Sequence, residues 1–229
     1  MSGRKLVRRL GWVFTAAGFV LLAWGLATWR WGDPVTTLYT RWEQRQLAGE
    51  YQRFAAEHRL RAGQRSETGP SPSEIRRAAR RLREGVDIGQ PIGRLEVDRL
   101  GLSMVIVNGT DAGSLRKGPG RDPRTFLPGE GRLVYIAGHR TTFGAPFAHI
   151  ERLRPGDRVV LEMPYGRFVY AVTGSVIVPA DDLDRLRSRG REEVALQACH
   201  PRFSATQRYI VYARPVGFSP AAEQPDEAS

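Results

Sequence analysis

The chain has 229 residues, 41% of them hydrophobic, a formal net charge of +11 and a single cysteine. That length suits one globular domain with appendages, and the hydrophobic share excludes a chain disordered throughout. One cysteine excludes an internal disulfide and any four-cysteine metal site. The positive balance raises nucleic acid as a partner. Acidic residues are interspersed through residues 91–217, however, and there is no RNP motif, zinc finger or base-reading basic helix, so no nucleic-acid partner is expected.

In chain order, the first feature is the uncharged run LGWVFTAAGFVLLAWGLATW, residues 10–29. At ~1.5 Å per residue a helix of this length covers ~30 Å, the thickness of a bilayer's hydrocarbon core. Arg4, Lys5, Arg8 and Arg9 precede it. The positive-inside rule keeps that basic segment, residues 1–9, in the cytoplasm and sends the rest outward. The expectation is a single-pass cell-membrane helix over residues 10–31 with an extracytoplasmic domain. The competing reading, a cleaved signal peptide, has an apolar region of ~7–15 residues, shorter than this run, and no small-x-small site is obvious beyond it.

Residues 32–88 read as a helical stalk and linker. Leu38, Trp42, Leu47, Tyr51 and Phe54 form an apolar stripe on a helix over residues 36–60. That stripe suits a helix lying on the membrane or the domain, and an ordinary stalk helix fits equally well. RAGQRSETGP, residues 61–70, is a polar linker. Ser71-Pro72-Ser73-Glu74 is a capping box with proline at the first helical position, and Ile75, Ala78, Ala79 and Leu82 follow at helical spacing. A short helix ending near Gly85 and packing on the following domain is expected.

Over residues 89–217 short β-branched segments alternate with Gly/Pro turns. Strands are expected near Ile92–Val97, Ser103–Val107, Leu133–Ala137, Arg158–Glu162, Arg167–Val178, Val194–Gln197 and Arg208–Ala213. Turns are marked by Gly118-Pro119-Gly120, Pro128-Gly129, Pro155-Gly156-Asp157 and Pro164-Tyr165-Gly166. Short helices are expected at Ala145–Arg152 and at Asp181–Arg187, where Asp181, Asp182 and Asp184 favour a helix start over a metal site. Evenly spaced strands without long intervening helices argue for a mainly β, closed or nearly closed barrel. Residues 218–229 read as a disordered tail.

Cys199 would live in an oxidising compartment, where a lone thiol risks oxidation. A nucleophilic cysteine needs a nearby base and donors for the oxyanion it creates. Three histidines fall in the barrel region. His139 follows an apolar strand and Gly138, a rigid mount; His149 falls inside an expected helix; His200 adjoins Cys199, where neighbouring strand side chains point apart. His139 has the best setting, with His200 next. A hairpin joining the Cys199 strand to the one opened by Arg208 would bring these two to the same sheet end, where the arginine could donate to an oxyanion. On the residues alone, a small buried cysteine is an equal reading.

The residues that follow resemble those of a known family. From about Gly89 to Val216 the chain is similar to the sortases, most nearly their class E form. Ala195-Leu196-Gln197-Ala198-Cys199 stands where sortases carry Thr-Leu-x-Thr-Cys, Arg208 resembles the family arginine on the next strand, and IAGHRTTFGAPF (Ile136 to Phe147) resembles the histidine segment. The resemblance implies an eight-stranded sortase barrel, no cofactor and no metal. It implies Cys199 as nucleophile, His139 as general acid and base, and Arg208 as stabiliser of the oxyanion or substrate, with Leu196, Ala198, Thr141 and Thr142 contacting substrate. The implied reaction cleaves an LPxTG- or LAxTG-like sorting signal of a secreted protein between Thr and Gly. A peptidoglycan-precursor amine then resolves the thioacyl enzyme. Alanines at 195 and 198 replace the family threonines, which bears on substrate preference. A dedicated or pilin-assembling sortase and a non-catalytic surface scaffold are the alternatives.

Overall fold

The computed structural model describes residues 3–31, 34–58 and 70–221. Most of the 61–70 linker and the end of the expected tail lie outside the described residues. Helix α1 spans Gly3–Trp31 and contains a stretch, Val7–Leu26, long and apolar enough to cross a membrane. None of that span is buried against the rest of the chain. Helix α2 spans Pro34–His58 and α3 spans Pro72–Gly85.

Eight strands follow: β1 (Pro91–Val97), β2 (Leu102–Asn108), β3 (Gly120–Arg121), β4 (Leu133–Ala137), β5 (Arg158–Met163), β6 (Gly166–Pro179), β7 (Glu193–His200) and β8 (Gln207–Ser219). A short helix, α4 (Ala112–Lys117), lies between β2 and β3. The strands close in the order β1-β2-β3-β4-β7-β8-β6-β5, with β5 pairing back to β1. The expected eight-stranded barrel is therefore present. Its interior holds Leu95, Ile106, Val134, Ile136, Leu161, Tyr170, Val194, Leu196 and Val211, all buried.

Helix α3 packs on the core of this barrel. The Ser71 side chain accepts from Glu74 N, and the Glu74 carboxylate accepts from Ser71 N at 2.7 Å. A capping interaction of this kind contributes about 1 kcal/mol. Ile75, Ala78, Ala79 and Leu82 are all buried in the barrel core, as their spacing implied. Helix α2 lies against the barrel wall, where Leu47, Tyr51 and Ala55 pack on Val105 and Val107. Only the second half of its expected stripe is covered, since Leu38 and Trp42 remain 68% and 53% exposed.

Several local expectations are corrected. The helix expected at Ala145–Arg152 is reduced to a 3-10 turn over Ile150–Arg152, because Phe143 and Ala145 take positive φ values of 50° and 41° that no right-handed helix accommodates. The helix expected at Asp181–Arg187 is a 3-10 turn over Leu183–Leu186, and Asp182 and Asp184 pair with Arg185 and Arg187. Strand β8 runs on to Ser219, into the segment expected to be disordered. Strand β3 stands where a turn was expected. Arg121, 2% exposed, holds it by donating from Nε and Nη2 to Asn108 Oδ1 of β2 at 3.0 and 2.6 Å. Burial pulls that guanidinium down to about 10. It also donates to Thr125 O at 2.7 Å, which leaves its charge satisfied by neutral acceptors.

Candidate active site

Three neighbouring strands build the site. Strand β7 pairs with β8 so that Cys199 stands opposite Arg208 and His200 opposite Gln207. The cysteine strand therefore runs through Cys199 and His200, beyond the Gln197 end expected from sequence. On its other edge β7 pairs in parallel with β4, with Tyr135 opposite Ala195 and Ala137 opposite Gln197. Gly138 N donates to Gln197 O at 3.0 Å, which extends this pairing past the end of β4. His139, two residues beyond the end of β4, stands between Gly138 and Arg140, whose Nη1 donates to Cys199 O at 3.2 Å. Side chains that face one another across a ladder share a sheet face. Cys199 and Arg208 thus share one face of β7 and β8, and His139, flanked by the two bonds to β7, completes the row beyond the end of β4.

That row lies on the outer face of the barrel. Leu133, Tyr135, Ala195 and Ile210, which share its parity, form a cluster with Val178 outside the main core, partly covered by Leu186. Residues of the opposite parity point inward. Leu196 and Ala198 are fully buried in the barrel core and present no surface beside Cys199. Their expected contact with substrate is corrected accordingly. Strand alternation puts Ala195 and Gln197 on the cysteine's face instead, a signal already present in the sequence. Thr141 and Thr142 lie beyond Arg140 in the connection after β4, half-exposed, and Thr142 O accepts from Ala145 N at 2.9 Å. His149 is exposed beside Glu151, 3.6 Å away, and lies outside the row.

The connection after β4 needs a close approach at its base. A side chain at Gly138 would meet the Phe147 ring at 2.7 Å, so only glycine lets the two turns of this segment stack. Further along, Phe143 holds its left-handed backbone with outside help. Its N–H donates to Thr36 Oγ1 of α2 at 2.9 Å, and its ring sits 6.4 Å from Tyr39 and 5.2 Å from His139 between ring centres. Thr40 donates to Arg116 O at 3.2 Å on α4. The first turns of α2 thus brace the loop that carries the histidine. Burial, and after it the Arg116 charge, hold the His139 imidazole below the ordinary histidine range. It is therefore mostly neutral near pH 7.

Among the described residues no hydrogen bond joins Cys199 to His139. The Arg208 guanidinium rests on its own loop, donating from Nη1 to Ala205 O at 2.8 Å and Gln207 O at 3.0 Å. Among the described residues only Nη1 is used, which leaves the other donors of the fork open to a ligand. Phe203, in the same β7–β8 loop, has φ of 64° and is 62% exposed at the rim. A neutral base, a thiol and a guanidinium in one row on an outer face is an arrangement suited to acyl transfer.

The Sortase domain profile matches residues 95–216, just over half of the chain. Sortase D of Bacillus subtilis is 35% identical over 135 residues, which are 57% of this chain and 66% of that protein. Sortase SrtE1 of Streptomyces coelicolor is 33% identical over 102 residues, 40% of this chain and 29% of that protein. The matches thus span less than two thirds of these curated relatives. Among solved structures, Sortase E1 of Streptomyces coelicolor with a tripeptide in its active site superposes with a TM-score of 0.54 at 26% identity, covering 58% of this chain and 91% of that one. Sortase E of Streptomyces avermitilis gives 0.53 at 28% identity, over 58% and 93%. With a matching family profile over residues 95–216, more than half of the chain, a closed eight-stranded topology and relatives of both the D and E types, the chain belongs to the sortase family.

Proposed function

We propose that this protein is a membrane-anchored cysteine transpeptidase that cuts an LPxTG- or LAxTG-like sorting signal between Thr and Gly and joins the protein to a cell-wall amine. The observation that carries this reading is the pairing of Cys199 with Arg208 across β7 and β8, beside the segment after β4 that carries His139. Membership of the sortase family supports it, as does the peptide held in the active site of the related Sortase E1.

The chemistry follows from the row. The Cys199 thiolate attacks the Thr carbonyl carbon, and the C=O pair moves to oxygen. The Arg208 guanidinium, swinging from its loop carbonyls, donates to that oxyanion. Imidazolium at His139 gives its proton to the Gly nitrogen as the C–N bond breaks, leaving a thioester on Cys199. The incoming amine attacks the thioester, His139 takes its proton, and the thiolate leaves as the new amide forms. Burial and Arg116 disfavour imidazolium at His139 before substrate binds.

In the same reading α1 crosses the membrane with Arg4, Lys5, Arg8 and Arg9 on the cytoplasmic side. Trp31 of α1 and Pro34 of α2 are three residues apart, ~11 Å at full extension. Thr36, two residues on, touches the loop of His139. The site is therefore tied close to the bilayer, where a secreted protein still held by its sorting signal would present it.

The test uses the full chain in detergent micelles with a sorting-signal peptide and an amine acceptor. Ligated product in the wild type, absent in Cys199→Ala, His139→Ala and Arg208→Ala, is the expected result. A folded wild type that yields no product from any LPxTG- or LAxTG-type peptide contradicts the proposal.

A further inference from the structure

We propose that Arg140 is a positioning residue that sets the spacing of the reacting row by clamping its strands together from the opposite face. This rests on the assignment of Cys199 and His139 as the reacting pair.

Each member of the row is followed in sequence by a residue of a second group: His139 by Arg140, Cys199 by His200, Arg208 by Tyr209. Alternation along β7 and β8 turns His200 and Tyr209 to the other face, and Arg140 follows three residues after the end of β4. There they meet. Arg140 Nη1 donates to His200 Nδ1 at 2.8 Å and to the main-chain Cys199 O at 3.2 Å. Its Nη2 donates to Glu151 Oε2 at 2.8 Å, and its guanidinium carbon lies 5.9 Å from the Tyr209 ring centre. One planar group therefore ties the histidine segment to the carbonyl of the nucleophile, to β8 and to the 3-10 turn at Glu151.

The Arg140 side chain is only 6% exposed, and its Nε is buried with no partner among the described residues. A buried cation with an unsatisfied donor is a poor way to gain stability, since an apolar side chain in such a place is often neutral or better. What the fork supplies is geometry: several donors at fixed angles, which lysine lacks. Arginine has no acceptor, so His200 Nδ1 must accept and the ring's proton sits on Nε2. His200 is thereby committed to the clamp rather than to Cys199. A displacement of ~1 Å between reacting groups is enough to lower a rate by up to about 100-fold.

The experiment compares Arg140→Gln and Arg140→Lys with the wild type, as full chains in micelles, by transpeptidation kinetics and thermal melting. The expected result is a fall in kcat of about tenfold or more with KM within about twofold, and no rescue by lysine. Arg83→Gln, which breaks the distant pair of Arg83 Nε with Glu130 at 3.0 Å, is the control for lost stability and keeps its kcat. Arg140→Gln with a kcat within twofold of wild type overturns the clamp, as does a loss that merely follows the folded fraction. If Arg140→Gln does not fold, His200→Ala removes one acceptor and leaves the Glu151 pair. It should lower kcat about threefold, with His200→Asn restoring it, and an unchanged rate in His200→Ala overturns the clamp equally. A wild type without turnover sinks the reacting pair and the clamp with it, whereas activity surviving in Arg140→Gln sinks the clamp alone.

Discussion

The two helices that precede the barrel attach to it by different means. Helix α3 uses an apolar stripe, with Ile75, Ala79 and Leu82 in the core and a capping box at its start. Helix α2 adds directed polar bonds to a smaller apolar contact of Leu47, Tyr51 and Ala55. Gln44 accepts from Val105 N at 2.7 Å and donates to Val105 O at 3.1 Å and Lys117 O at 2.9 Å, while Tyr51 donates to Glu162 O at 3.1 Å. Its first turns then reach Phe143 beside His139. Apolar burial is strong but tolerant of small shifts, whereas hydrogen bonds fix position at modest net energy. On this comparison α3 serves stability and α2 serves placement of the site.

The largest effect expected is on α3. Leu82→Ala should lose about 3 kcal/mol in a denaturant titration and leave kcat per folded molecule unchanged. Next comes the middle of α2. Gln44→Leu strips the buried Val105 N–H of its partner and should cost about 2 kcal/mol, with a loss of activity that exceeds the loss of folded protein. Smaller in stability is Thr36→Val at the start of α2, about 1 kcal/mol or less, but kcat should fall severalfold as the strained Phe143 turn relaxes. If instead Leu82→Ala impairs kcat and Thr36→Val does not, the division of labour between the helices is wrong.

The smallest effects are those of charge and pH around His139. Arg116→Gln removes a cation that lowers the histidine, so its NMR titration should move upward, and an unmoved curve contradicts the cause assigned. The folded-state value lies below the unfolded value of 6.5, so the folded form resists protonation. Stability from this group is complete above pH 6.5 and is lost as pH falls through the interval below it. His139→Gln should flatten the dependence of unfolding free energy on pH in that window.

Local patterns made much of this molecule legible before its structure. The 3.6-residue spacing and capping box of α3 need no distant partner, and β4 is an uninterrupted apolar run, so both stand where expected. Strand β3 has two residues and exists because β2, β4 and the Arg121–Asn108 bonds hold it, none of which is local. Strand β7 reaches His200 only because β8 pairs with it there. The helix expected at Ala145–Arg152 cannot start at Ala145, which takes a positive φ of 41°, a backbone state that residue type does not announce. Leu196 and Ala198 were misplaced for a different reason: the alternation that turns them inward follows from placing Cys199 outward. The clamp at Arg140 hides in the same way, since each of its members sits beside a more conspicuous neighbour.

The central claim is that Cys199 attacks the substrate carbonyl. Intact-mass analysis of the full chain mixed with a sorting-signal peptide, without an amine acceptor, measures this directly. The expected result is a mass increase equal to the peptide's fragment up to its Thr, located on Cys199, absent in Cys199→Ala and discharged by added amine. A folded wild type whose mass stays unchanged while the peptide is cut, or in which the adduct maps to another residue, contradicts it.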